Sequence, residues 1–392
     1  MLKLKPSQKG RIKKDFWLSA RFEKTALALF VFLLPCQLAY HFWPQFAYVY
    51  GLRVDYLSPA IYLTDILFLF LIPFIKTWPK KSLILVGLFA ALNIVLAYSP
   101  VISLFKWLAV FKLILVGLYF FSCPYRKTAR QALLAAVVFF GCLGLGQFVF
   151  QKTLGGWLYW LGERSFNAST PGIALVKIGG ENFLRAYSTF SHPNSFAGFM
   201  VAAAIIIYSL GQKKKLLLAM SLGLGLMMTF SLGAWGGLVL ALILMKINKK
   251  FWVYLPAILI VLSFGFSFLP PGYFPGNENL QTRILLATSS VRLLSTSPFF
   301  GVGLNNSVGV MEKLQPVHNI FLLVGAETGL VGLLLVFGML TILISKASNK
   351  YYLLALFFVF LTGIVDHYWF TLQQNQLLLS LLIGLSLNEK SS

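Results

Sequence analysis

The sequence is poor in acid. Only 11 Asp and Glu stand against 33 Lys and Arg in 392 residues. Divalent ions that assist phosphate departure are usually held by grouped carboxylates. The polar stretches here carry scattered Glu and no paired Asp, so no metal and no cofactor is expected. Cysteine is scarce too. Cys36, Cys123 and Cys142 sit in or beside apolar runs without ligand-like spacing, which excludes a disulfide framework and a thiolate metal site. Charged residues amount to 11%, and no stretch has the composition of a separate soluble domain.

What is present instead is apolar surface. Hydrophobic residues make up 58% of the chain and recur in leucine-rich runs from end to end. That composition is of a polytopic membrane protein. Twelve spans of about 20 residues would occupy roughly 240 of the 392 residues. The formal charge of +22 does not point to nucleic acid. Its cations come as short clusters between apolar runs, at Lys13-Lys14, Lys80-Lys81, Arg126-Lys127, Lys213 to Lys215 and Lys249-Lys250. Clusters so placed are orientation signals, whereas nucleic acid needs one basic face.

The apolar runs predict helices near 25–43, 58–75, 82–98, 101–123, 131–151, 194–211, 216–230, 232–247, 252–269, 319–344, 351–366 and 375–388. The run 216–247 is too long for one comfortable span and is divided at Ser231-Leu232-Gly233. The first run, near Thr25, follows a basic stretch without a small-residue cleavage pattern, so it is expected to be retained. With the N-terminus inside, most Lys and Arg fall on the cytoplasmic side. The outside segments hold Arg53, Lys152, Arg164, Lys177, Arg185, Arg283, Arg292 and Lys313. This bias predicts both termini inside, with a basic N-terminal segment at 1–24, a membrane domain at 25–388 and a tail at 389–392. It also puts two polar stretches, 152–193 and 271–317, on one non-cytoplasmic side.

Those two stretches carry the chemistry. The first ends in Arg185 followed by Ser191-His192-Pro193-Asn194. The second holds Arg283, Arg292 and a Pro298-Phe299-Phe300-Gly301-Val302-Gly303 turn, and closes on Pro316-Val317-His318-Asn319 at the mouth of an apolar run. Arginine's planar fork stays protonated and gives two parallel hydrogen bonds to phosphate oxygens. Histidine can take a proton from a hydroxyl near neutral pH. The plainer readings are that the arginines are solvated and that Asn194 and Asn319 are helix N-caps. Asp65, Lys106, Lys112, Glu327 and Asp366 fall inside predicted spans, where ionisable groups are costly. Asp366-His367-Tyr368, at the outer end of the eleventh, could line the same cavity.

The order Arg185…His192-Pro193-Asn194, Arg283…Pro298–Gly303 and His318-Asn319…Glu327-Thr328-Gly329-Leu330 resembles the O-antigen ligase and O-antigen polymerase superfamily. Tyr62-Leu63-Thr64-Asp65, Gly162-Glu163-Arg164 and Thr170-Pro171-Gly172 are similar to it as well. The resemblance implies an all-α glycosyltransferase of C-type fold in the bacterial cytoplasmic membrane, with two periplasmic loop regions. It implies metal-independent, inverting transfer of a glycan from an undecaprenyl-diphosphate donor to a glycolipid or other glycan acceptor, at the periplasmic face. Carried over by position, His318 would be the base and Arg185 and Arg283 would bind the diphosphate. Arg292, His192, Asn194, Asn319 and Glu327 would contact substrate. Two departures stand out. Family members often have Ser-Arg where Ser231-Leu232 stands here. An arginine followed eleven residues later by glycine occurs at Arg292 and Gly303 but not after Arg185, where Phe196 takes that place. This tilts the reading from polymerase to ligase. A lipid-glycan flippase is the rival of another class, but such proteins usually place their site at the midplane between internal repeats.

Overall fold

The computed structural model describes residues 6–211, 223–270, 278–347 and 349–388. The expected tail at 389–392, and parts of the expected span 216–230 and of the stretch 271–317, lie outside these residues. The fold is mostly helical with a few two-stranded β pieces. The helices are α1 Pro6–Phe32, α2 Leu63–Leu69, α3 Lys80–Val95, α4 Pro100–Ser122, α5 Arg126–Phe150, α6 Pro193–Ser209, α7 Leu232–Leu244, α8 Leu255–Phe266, α9 Glu278–Thr296, α10 Ser307–Val310, α11 Ile320–Lys346, α12 Lys350–Gly363, α13 Tyr368–Thr371 and α14 Gln373–Leu387.

Among the described residues, four helical segments are long and apolar enough to cross a membrane: Pro100–Ser122, Arg126–Phe150, Lys249–Phe266 and Ile320–Lys346. Pro193–Ser209, Leu232–Leu244 and Lys350–Gly363 are shorter apolar helices. Outward-facing apolar side chains such as Leu85, Val95, Val261 and Leu334 are exposed, as lipid-facing residues of a membrane protein would be. The buried core runs through Phe30, Phe120, Phe199, Phe357 and Trp369. Helices α4 and α14 cross closely at small residues: a Cβ on Gly384 would lie 2.3 Å from the Gly117 carbonyl oxygen.

The structure corrects several expected boundaries. Helix α1 starts at Pro6, inside the basic segment 1–24, and ends at Phe32 rather than near 43. Pro35 has no N–H to continue it, and Ala39–His41 instead pairs antiparallel with Ala60–Tyr62. The span expected at 58–75 therefore begins as a strand and continues as the seven-residue α2. The second polar stretch is not simply a loop, since it holds the 19-residue α9. The break expected at Ser231 is present: residues 228–230 turn, and the Ser231 hydroxyl caps α7 by accepting from Ala234 N at 3.3 Å.

Helix α11 is interrupted. Gly329 has φ 67° and ψ −166° in mid-helix, and the Phe299–Gly301 turn fits against the gap. Leu330 N donates to Pro298 O at 2.7 Å and Val331 N to Phe299 O at 3.2 Å, while Ala326 O accepts from Val302 N at 2.9 Å. A Cβ on Gly329 would lie 2.3 Å from Phe299 backbone, and one on Gly301 2.4 Å from the Glu327 carbonyl carbon. Only glycine fits at both positions.

Candidate active site

Arg185 is placed by a hairpin and a glutamine. Strands Leu175–Ile178 and Glu181–Leu184 pair antiparallel, with Leu175 opposite Leu184. The chain leaving them is held by Gln147, buried on α5. Its Oε1 accepts from Tyr187 N and Ser188 N at 3.2 and 2.7 Å, and its Nε2 donates to Ser188 O and Glu163 Oε1 at 2.8 and 2.7 Å. Glu163 in turn accepts from Leu154 N and Gly155 N, so the Gly162-Glu163-Arg164 motif is a brace for the loop. With its backbone fixed, Arg185 donates from Nε to Thr229 O at 2.6 Å and from Nη2 to Asn194 Oδ1 at 2.7 Å.

Asn194 passes the connection on. Its Nδ2 donates to Asp366 Oδ2 at 3.1 Å. It is not the cap of α6: His192 is, accepting from Asn194 N through Nδ1 at 3.1 Å. Asn319 does cap its helix, accepting from Phe321 N and Leu322 N, and its Nδ2 also ties α11 to the end of α12 through Ile364 O at 3.0 Å. Arg283 arrives from α9 and donates to Val365 O at 2.6 Å.

These elements enclose a polar cavity of about 440 Å³. It is lined by Arg185, Asn194, Arg283, Asp366 and Tyr368, with Thr362, Val365 and residues 230–234 completing the wall. The first turn of α7 thus faces two guanidinium groups, and helix N-termini favour anions. Beside it, sharing Phe230, lies an apolar groove of about 650 Å³ lined by Phe148, Leu226, Met227, Met228 and Trp235 among others. Phe230 itself is held at φ 48°, a sparsely populated backbone region for a bulky side chain.

Imidazoles gather around Asp366. The His318 and His367 rings lie 5.0 Å apart, and one ligand-type atom from each of His318, Asp366 and His367 falls within 4.8 Å of the others. Tyr56, from the first loop, stands edge-on to His367 at 5.4 Å. Burial pulls His318 below the ordinary imidazole range, against the opposing pull of Asp366. Burial likewise brings His367 down to about 3. Burial alone would raise Asp366, but the surrounding His367, His318, His192 and Arg283 hold it below its usual value as a carboxylate.

Of the residues expected at the site, Arg185, Asn194 and Arg283 line one cavity and His318 meets its Asp366 wall. His192 is a helix cap at the rim, and Asn319 holds two helix ends together. Arg292 and Glu327 are placed elsewhere. Arg292 is nine residues from Arg283 on α9, which is about half a turn round and roughly 13 Å along the axis, and its side chain is exposed. Glu327 is buried at the α11 break, accepting from Ser307 Oγ at 2.6 Å and Asn305 N at 2.8 Å. His367, Tyr56 and Tyr368 were not singled out individually from sequence. The polar triplet at the end of an apolar run was the signal for two of them, whereas Tyr56 gives none.

The expectation of no metal rests on the absence of grouped carboxylates. The fold assembles a different donor set, two imidazoles and one carboxylate. Comparison with known families places residues 194–337 within the model described as O-Antigen ligase. No curated protein and no solved structure matches the chain. The matched segment opens on Asn194 and takes in Arg283, His318 and the α11 break. The match, over 144 of the 392 residues, supports a place for the chain in the O-antigen ligase and polymerase superfamily.

Proposed function

We propose that this protein transfers a glycan from an undecaprenyl-diphosphate carrier to an acceptor hydroxyl, with inversion, at the outer face of the cytoplasmic membrane. Enzymes of the ligase and polymerase type act on lipid-linked glycans, and ligase-like transfer is the reading favoured here. The observation that carries it is the convergence of Arg185 and Arg283, from separate polar stretches, on a cavity lined by Asp366, which is grouped with His318.

The donor diphosphate lies between the two guanidinium groups and the first turn of α7. Each arginine keeps donors beyond the bonds that orient it. The isoprenoid tail follows the adjoining apolar groove past Phe230. The acceptor oxygen attacks the anomeric carbon as the carbon–oxygen bond to the diphosphate breaks. The electron pair leaves with the diphosphate, whose growing charge the arginines stabilise. The acceptor proton passes to neutral His318, and the Asp366 carboxylate stabilises the imidazolium that forms. Holding both substrates at one bilayer surface supplies the rest of the rate.

The test is transfer by the purified protein in lipid vesicles, read as release of carrier diphosphate. Wild-type protein releases it only when donor and acceptor are both present. Movement of intact donor across the vesicle without release would replace this reading with transport. Products extended by several repeats on the carrier would replace the ligase assignment with polymerase.

A further inference from the structure

We infer that His318, Asp366 and His367 form a binding site for one borderline-soft transition-metal dication of the zinc class, and that its occupancy switches the transfer site off. No part of the proposed reaction needs His367, yet that ring is set up as a ligand. Thr371 Oγ1 lies 3.1 Å from His367 O and 2.7 Å from His367 Nδ1, and a hydroxyl that donates to the carbonyl accepts from Nδ1. In that arrangement Nδ1 carries the proton and Nε2 keeps its lone pair. A metal-ligating histidine usually donates its other ring N–H to a nearby oxygen, a role that Thr371 Oγ1 can fill. On the other ring, His318 Nδ1 is buried without a hydrogen-bond partner, a costly arrangement that a bound ion would relieve. Asp366 is anchored from both sides, by His367 N at 2.8 Å on Oδ1 and Asn194 Nδ2 at 3.1 Å on Oδ2, and each oxygen retains a lone pair.

The three ligand atoms lie within 4.8 Å of one another. A tetrahedral zinc site needs them about 3.3 Å apart, given metal–ligand distances near 2.0 Å. Binding would require a turn of the His318 side chain, a residue that is only partly buried. Three protein ligands leave a fourth position for water. Two imidazoles with one carboxylate select zinc-class ions over magnesium or calcium, which prefer all-oxygen shells. The second half of the inference rests on the transfer reading: a His318 lone pair given to a metal is withheld from the acceptor proton.

Binding is read first, without donor or acceptor, by titrating chelator-stripped protein in detergent with Zn²⁺ and, for its visible spectrum, Co²⁺. The expected result is one ion per chain, with the intense d–d bands of a four-coordinate site. Affinity falls at least tenfold in His318→Ala, Asp366→Asn and His367→Gln, and is unchanged in His41→Ala, whose imidazole lies outside the cluster. Asp366→Asn and His367→Gln keep shape, so loss of binding is separable from misfolding by gel filtration. Binding weaker than millimolar, or equal binding by His367→Gln, overturns the site. Transfer is then measured with and without metal. Zn²⁺ is expected to stop it and excess chelator to restore it. Loss of transfer on chelation would overturn the inhibitory role. Absence of transfer in metal-free wild-type protein counts against the proposed function alone, because binding is scored separately.

Discussion

At Glu327–Gly329 and again at Asp366–Tyr368 the chain places polar groups where an apolar helix is interrupted or ends, and the two places are built to opposite ends. Around Glu327 every exposed need is met from within. Both carboxylate oxygens accept hydrogen bonds, the freed carbonyl of Ala326 takes Val302 N, and Asn93 Nδ2 donates to the carbonyls of Phe300 and Glu327 at 2.8 and 3.0 Å. Two glycines seal the joint. Around Asp366 the accounts stay open: His318 Nδ1 has no partner, two arginines retain donors, and a cavity adjoins them. A buried polar network that is fully satisfied fixes a fold, and one left incomplete is where a ligand is expected. Proximity in sequence, with Glu327 nine residues after His318, says nothing about which kind a residue joins.

Substitutions should split along the same line. The largest effect is expected from His318→Ala, with diphosphate release falling about 10³-fold while membrane-inserted protein is unchanged, in keeping with loss of a general base. Normal release by that variant would erase the distinction at once. Arg185→Lys and Arg283→Lys should each lower release about 10²-fold, because a single ammonium cannot reproduce a bidentate contact. If only one did so, the diphosphate would be held from one side. Glu327→Ala belongs to the closed region. It strands the Asn305 N–H and the Ser307 hydroxyl, at a cost of about 1–3 kcal/mol each, so thermal stability in detergent drops. Release per folded molecule should stay within about threefold, under 1 kcal/mol in barrier. A selective loss of activity would move Glu327 into the open region. Arg292→Ala should be nearly silent, within about twofold in release, as expected of an exposed side chain remote from special features.

Much of this was legible beforehand. Apolar runs located α4, α5, α6 and α11 closely, because helix period and length leave few alternatives. Asn194 and His318 are legible as polar groups at the starts of such runs, and Arg185 and Arg283 as cations in the polar stretches between them. What sequence concealed was tertiary. The first expected span hid a strand, since Leu38 to Trp43 is as apolar and aromatic as the helix before it, and pairing with Ala60–Tyr62 is not a local property. The stretch 271–317 read as loop because the 19 residues of α9 are polar enough to lack a membrane signature, though they carry Arg283 to the cavity on one face and Arg292 away on the other. Glu327 looked like a site residue because a buried acid signals cost, and only the fold reveals that Ser307 and Asn305 offset it. The His–Asp–His cluster joins residues about fifty positions apart, a spacing that no local motif encodes.

The last helix has a consequence for how the molecule comes into being. Gln373, at the start of α14, donates to Asp65 at 2.6 Å and accepts from Lys112 at 2.9 Å, while Asn375 donates to Ser195 O at 3.1 Å. Residues 65, 112 and 195, far apart in sequence, are thus fastened by α14, which follows closely on Asp366 and His367. The carboxylate that Arg185 reaches through Asn194 lies just ahead of that helix in the chain. A stop codon placed before Asp366 would remove one wall of the cavity together with two of the three grouped donors.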